Sequence, residues 1–170
     1  MLIQNYTSNA KINLGLQVLN KREDGYHNLH SLFMEIDLAD ELSFRESSEF
    51  KLDLKGAILP LDENNLITKA YRLIRSKAED VPSEYAIHLK KKIPIGGGLG
   101  GGSSNAATVL TTLNQLWELN LTEDELEKMS KSLGADVPFF IRGGIQLIEG
   151  IGDMLNPVDP TPMKDLFNNC

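Results

Sequence analysis

Cysteine is almost missing from this chain. Its single cysteine, Cys170, is the last of 170 residues, so no disulfide can close within the chain and a reducing compartment fits. Positive charge is also scarce. Lys and Arg number 17 against 24 Asp and Glu, a net charge of −7, which argues against general binding to nucleic acid or to a membrane surface. No apolar run reaches spanning length. Met1-Leu2-Ile3-Gln4-Asn5-Tyr6 has neither the basic region nor the apolar stretch of a secretion signal, so a cytoplasmic protein is expected. There is no internal repeat, no low-complexity tract and no Cys/His spacing suited to a structural metal. The remainder, 41% hydrophobic and 24% charged, is an ordinary globular composition, long enough for one domain and hardly two.

Glycine, by contrast, is concentrated. Six of the 14 glycines fall within Pro94-Ile95-Gly96-Gly97-Gly98-Leu99-Gly100-Gly101-Gly102-Ser103-Ser104-Asn105-Ala106-Ala107. Ordered glycine costs backbone entropy, and what it returns is a main chain that bends sharply and brings several N–H groups near one ligand. Behind the loop, Ala106, Val109, Leu110, Leu113 and Leu116 recur at helical spacing. A glycine loop opening a helix is an anion site, because orphan N–H groups and the helix dipole both favour negative charge. The reading is a phosphate cradle, with Ser103, Ser104 and Asn105 adding polar groups at its entrance. No Gly-Lys-Ser/Thr closes the loop, which excludes a Walker A sequence. Gly96, Gly98 and Gly101 fit G-x-G-x-x-G by count, but a helix follows where a dinucleotide fold needs a second strand. A flexible linker is the bland alternative, and three lysines before the loop and an alanine-rich helix behind it count against that.

Along the chain, Ile12, Leu14, Leu16 and Val18 alternate with Lys11, Asn13, Gly15 and Gln17. That predicts a strand with the aliphatic face buried and Lys11 and Asn13 off the core. Asp24-Gly25 is the expected reversal, presenting Tyr26 and His27 side by side; stacking with edge hydrogen bonding is one way to hold a free nucleobase. Strands are expected over Leu32–Leu38, Glu41–Arg45, Phe50–Leu54 and Tyr85–Leu89. A helix carrying Leu66, Ala70, Leu73 and Ile74 is capped by Asn64 or Asn65. Lys90-Lys91-Lys92, just before the loop, implies a local positive field. Thr122-Glu123-Asp124-Glu125 is a capping box with a Leu121/Leu126 staple, opening a helix through Leu133 that Gly134 closes. Asp136 reads equally as a cap, with Pro138 in the first turn, or as a catalytic carboxylate. Ile145–Glu149 is the last strand expected.

Taken together, Ala10-Lys11-Ile12-Asn13-Leu14, Asp24-Gly25-Tyr26-His27, the run from Pro94 to Ala107 and Gly134-Ala135-Asp136-Val137-Pro138-Phe139-Phe140 resemble the GHMP small-molecule kinases. The resemblance runs from Ser8 to about Pro160. It implies an α+β fold, the family's N-terminal domain, a ribosomal-protein-like two-layer unit whose glycine-rich phosphate loop leads into a helix. It implies ATP as phosphoryl donor, with magnesium for which no residue is a convincing dedicated ligand. The loop from Pro94 through Leu99 to Asn105 would hold the phosphates, with Asn65 and Lys91 near the adenine. Asp136 would take the proton from a substrate hydroxyl while Lys11 keeps that carboxylate ionised. The Asp24–His27 segment resembles members acting on a cytidine-diphosphate-linked sugar alcohol in the non-mevalonate route to isoprenoids, so Tyr26 and His27 would bind cytosine, with Asn13 and Asp136 also at the substrate. The alternatives are a homoserine- or mevalonate-type kinase and a non-catalytic nucleotide- or RNA-binding module. The family implies residues 1–160 as the ATP-binding domain and 161–170 as the start of a connection to a further domain, without which little or no kinase activity is expected.

Overall fold

The computed structural model describes residues 3–21, 25, 27–150 and 154–159. Among them are strands β1 (Ile3–Lys21), β2 (His27–Ser47), β3 (Lys51–Lys55), β4 (Glu84–Lys90), β5 (Ile145–Glu149) and β6 (Met154–Pro157), and helices α1 (Leu66–Arg75), α2 (Gly101–Leu116), α3 (Glu123–Ser130) and α4 (Val137–Arg142). The chain forms two compact units. The first takes the described residues up to Ala10 with Ile36–Arg142; the second takes Lys11–Glu35 with the described residues from Gly143 onward.

In the first unit β2 and β4 pair antiparallel from Glu41↔Lys90 to Ser47↔Glu84, and β3 and β4 pair parallel from Lys51↔Ala86 to Lys55↔Lys90. Burial alternates along β4 and along β2 from Glu41 to Arg45: Leu42, Phe44, Tyr85, Ile87 and Leu89 are buried, while Lys51, Asp53 and Lys55 of β3 face water. One sheet face is therefore the core face. Its core is completed by Ile67, Ala70, Tyr71 and Ile74 of α1 and by Ala106, Ala107, Val109, Leu110 and Leu113 of α2. Two adjacent alanines at zero and 1% exposure let α2 lie close to its neighbours. Asn65 is the cap of α1, its side-chain oxygen accepting from the N–H of Ile67 at 2.9 Å.

Two expectations about these elements are corrected. The strands foreseen at Leu32–Leu38 and Glu41–Arg45 are parts of one strand, β2, which continues through Asp40. Asp is a poor strand residue, but this one is fully buried and its carboxylate accepts three hydrogen bonds from residues 91–93. The helix expected to end at Gly134 ends at Ser130. Tighter turns follow, with Ser132 N–H bonded to the Met129 carbonyl and Leu133 N–H to that of Ser130.

In the second unit β5 pairs with β2 from Ser31↔Ile148 to Met34↔Ile145 and with β6 from Gln146↔Pro157 to Glu149↔Met154. β6 lies beyond the last strand expected. Gly143 and Gly144 turn into β5 at φ +65 and +71, and the N–H of Gly144 donates to Glu35 at 2.6 Å. The aliphatic face of β1 is not buried as expected: Leu14, Leu16 and Val18 are 50, 61 and 57% exposed, Asn13, Gly15 and Gln17 on the other face are exposed too, and Lys11 is 4% exposed. On the same alternation Ser8 and Ala10, in the first unit, are buried. Alternation tells which residues share a face; it does not tell which face a helix covers. All four helices belong to the first unit.

Candidate functional site

The loop between β4 and α2 is built by backbone conformation. Gly96, Gly98 and Gly100 take left-handed φ of +76, +70 and +70, a region closed to most side chains. Gly100 is the cap of α2, without a side-chain hydrogen bond, and the first turn carries no acid. The early N–H groups of α2 thus have no side chain capping them, at the positive end of the dipole. They open on a cavity of about 300 Å³ lined by residues 94–103 with Leu59, Leu66 and Lys91. Gly101 is compact by necessity, because a Cβ there would stand 3.0 Å from the Ile93 side chain and 3.0 Å from Lys91 Nζ.

A second, smaller cavity of about 180 Å³ shares Leu59, Leu66, Lys91 and Gly102 with the first. It also contains Asn65 and Asn105. Asn105 is 2% exposed, and its Oδ1 has no hydrogen-bond partner among the described residues. A buried amide oxygen left unpaired costs about 1–3 kcal/mol, so this acceptor awaits a donor from a ligand or a water.

The polar residues at the loop's end divide. Ser103 lines the larger cavity, but Ser104 is buried and meets the Ser8 hydroxyl at 2.7 Å. Asn105 lines the smaller cavity instead. Asn65 borders that cavity with its side chain already engaged, its oxygen capping α1 and its amide donating to the Pro60 carbonyl at 2.7 Å. The positive field expected from three lysines is also corrected. Lys90 and Lys92 both pair with Glu41, and Lys91 pairs with Asp40 at 2.8 Å. Hydrogen bonds from Lys92 first and Lys90 second pull the Glu41 carboxyl down to about 2.

Asp136, in the first unit, is half-buried and directly precedes α4. In the second unit Lys11 donates to Asn13 Oδ1 at 2.8 Å, and its ammonium lies 4.2 Å from the Phe33 ring centroid. A cation over an aromatic face is held there by the ring quadrupole, which accounts for a buried lysine on a strand read as solvated. His27 opens β2 and is exposed. Tyr26 and Asp24 lie outside the described residues. Among the described residues no three His, Cys, Asp or Glu side chains are grouped to hold a metal ion, and no helix is long and apolar enough to cross a membrane. Asp40, the buried partner of Lys91, escaped the sequence reading altogether. Its partners are 51 to 53 positions away, and no local pattern announces such a pairing.

Residues 65–144 match the model of the GHMP kinases N terminal domain. A 4-diphosphocytidyl-2-C-methyl-D-erythritol kinase of Marinobacter nauticus is 45% identical over 156 residues, covering 90% of this chain and 54% of the relative. One of Prochlorococcus marinus is 48% identical, covering 92% of this chain and 51% of the relative. A crystal structure of 4-(cytidine 5'-diphospho)-2C-methyl-D-erythritol kinase superposes with a TM-score of 0.79 at 41% identity, over 91% of this chain and 55% of that one. The chain therefore spans about half the length of the curated relatives it matches.

Proposed function

Since this chain carries the N-terminal domain of the GHMP kinases, we propose that it is the nucleotide-binding part of a kinase that transfers the γ-phosphoryl group of ATP to the 2-hydroxyl of 4-diphosphocytidyl-2-C-methyl-D-erythritol, in the cytoplasm. The observation that carries this reading is the uncapped N-terminus of α2, fed by three left-handed glycines and opening on a cavity of about 300 Å³. Phosphoryl transfer asks mainly for positioning and electrostatic stabilisation of charge on the phosphoryl oxygens. Backbone N–H groups at a helix end supply both, and they need no reorganisation at the moment of reaction. The relatives at 45% and 48% identity bear the name of the cytidine-linked kinase, which favours that substrate over homoserine or mevalonate and a kinase over a mere binding module.

In this reading the triphosphate lies along Gly96–Ser103 and the base enters the smaller cavity. The unpaired Oδ1 of Asn105 suits an amine donor such as the one on adenine. Asp136 accepts the proton of the attacking hydroxyl, and Lys11 is the cation steadying developing charge; Tyr26, His27 and Asn13 belong to the substrate. Magnesium, which keeps most of its water and binds few protein ligands, arrives on the nucleotide phosphates. The test is ADP release by the whole kinase of which this chain is part, with ATP and magnesium in the presence of the cytidine-linked substrate, homoserine or mevalonate. Release that depends on the cytidine substrate alone is expected. Equal or greater response to homoserine or mevalonate overturns the substrate assignment.

A further inference from the structure

Strand β4 ends at Lys90, and the chain then leaves the sheet. The backbone donors of the next three residues need acceptors elsewhere. Lys91 N–H finds the Lys55 carbonyl at 2.8 Å. Those of Lys92 and Ile93 both find Asp40 Oδ1, at 2.7 and 2.8 Å. The other oxygen, Oδ2, accepts from Lys91 Nζ at 2.8 Å, and the same ammonium donates to the Ile93 carbonyl at 2.6 Å. Asp40 is fully buried and Lys91 nearly so, so these bonds act in a medium that screens them little.

These contacts set the two ends of the glycine loop against each other. Ile93, 1% exposed, is the last residue before Pro94. Its side chain and the Lys91 ammonium occupy the space beside Gly101, the first residue of α2, each 3.0 Å from where a Cβ would stand. The neck of the loop is thus Lys91 and Ile93 on one side and Gly101 on the other, with one carboxylate holding the first side. Six glycines make the loop costly to order, and a ligand that must order its own site binds less tightly.

We propose that Asp40 is a positioning residue for triphosphate binding: it closes the neck of the glycine loop and holds the Lys91 ammonium beside the N-terminus of α2, so that the cradle stands formed before the ligand arrives. This rests on reading the loop as the ATP cradle. Asp40 itself touches no ligand. Its two bonds to Lys92 and Ile93 act on the backbone, and its third leaves Lys91 with a donor to spare among the described residues, on the wall common to both cavities.

The experiment is calorimetric titration of the full chain with ATP and, separately, with tripolyphosphate. It compares the parent chain with Asp40→Asn, Lys91→Met and Gly100→Val, each checked for folding by circular dichroism. Asp40→Asn should weaken ATP and tripolyphosphate by the same factor, roughly 30-fold, and Lys91→Met should weaken both in the same direction. A residue that merely supported the fold would lower the melting temperature without this shared loss at both ligands. Should Asp40→Asn fail to fold, Asp40→Asn/Lys91→Met, which buries no lone charge, takes its place with the same expectation. Folded Asp40→Asn, or the double variant in its stead, binding both ligands as the parent does, or losing ATP alone, overturns the proposal while Gly100→Val still loses both. If Gly100→Val binds normally, or the parent binds neither ligand, the cradle reading falls and takes the proposal with it.

Discussion

The N-termini of α2 and α3 answer the same physical problem in opposite ways. Both helices begin with backbone N–H groups that the helix cannot satisfy. At α3 the chain satisfies them locally. Thr122 accepts from the Glu125 N–H at 3.3 Å, Glu125 accepts from the Thr122 N–H at 2.9 Å, and three acids sit in the first turn. At α2 the cap is a glycine at φ +70, no side chain bonds back and no acid is present. Lys91 stands beside it instead. A cavity of about 530 Å³ lies beside α3 too, with Glu125 in its wall, so a cavity alone does not distinguish the two ends. The difference is that the donors of α3 are already taken by its own side chains, whereas those of α2 have no side-chain cap.

Substitutions can break this contrast, and the largest effect is expected at Asp136, which directly precedes α4. Asparagine caps about as well as aspartate, so Asp136→Asn should leave the melting temperature nearly unchanged. If Asp136 is the base, substrate-dependent ADP release should nonetheless fall by about 10²–10⁴-fold. Unaltered turnover would put Asp136 with Thr122, as a cap and nothing more. Next comes Gly100→Val. A β-branched residue at φ +70 is strained by about 1–3 kcal/mol, and its side chain obstructs the approach to the N–H groups. ATP binding measured by calorimetry should be lost in a chain that still folds.

Ser103→Asp gives α2 the acidic first turn that α3 has. The dipole should then stabilise the fold by about 0.3–1 kcal/mol, read as a higher melting temperature, while ATP affinity falls because the acid repels phosphate. A rise in both would mean that the α2 end does not hold an anion. Thr122→Ala removes the box at α3 and should cost about 1 kcal/mol in chemical denaturation, leaving ATP affinity untouched. The smallest effect is on acid titration. The Glu125 carboxyl is held below its ordinary value of 4.5 first by the Thr122 N–H and then by its hydroxyl. A lowered carboxyl stabilises the fold above its unfolded value and loses that contribution as pH falls through its folded value. Stability followed from pH 5 downward should therefore decline less steeply in Glu125→Gln than in the parent, whereas the glycine cap of α2 has no group to titrate.

The capping box, the glycine loop that opens α2 and the Asn65 cap were legible because each is written in residues a few positions apart. Asn65 bonds Ile67, Thr122 bonds Glu125, and a run of six glycines can only be a backbone device. Other contacts were not legible, because the partner is distant in sequence. Ser104, expected with Ser103 at the ligand, also meets Ser8. The three lysines are expected to make a free positive field, yet each is paired from the middle of β2, Lys91 with Asp40 and both Lys90 and Lys92 with the one carboxylate of Glu41. Leu14, Leu16 and Val18 are expected on a buried face, yet all three are exposed.

Local order alone therefore decided where the helices start, which residues share a strand face and that the 94–107 loop turns on its glycines into a helix. These depend on the φ/ψ preferences of single residues and on bonds within one turn, and they would be the same in any fold. Tertiary structure alone decided which strand face is buried, that Lys11 lies over Phe33 and that Asp40 holds Lys91 and the neck of the loop. Burial and charge pairing are properties of what stands opposite. The chain brings Asp40 to residues 91–93 only after more than fifty positions of strand, helix and turn have folded between them.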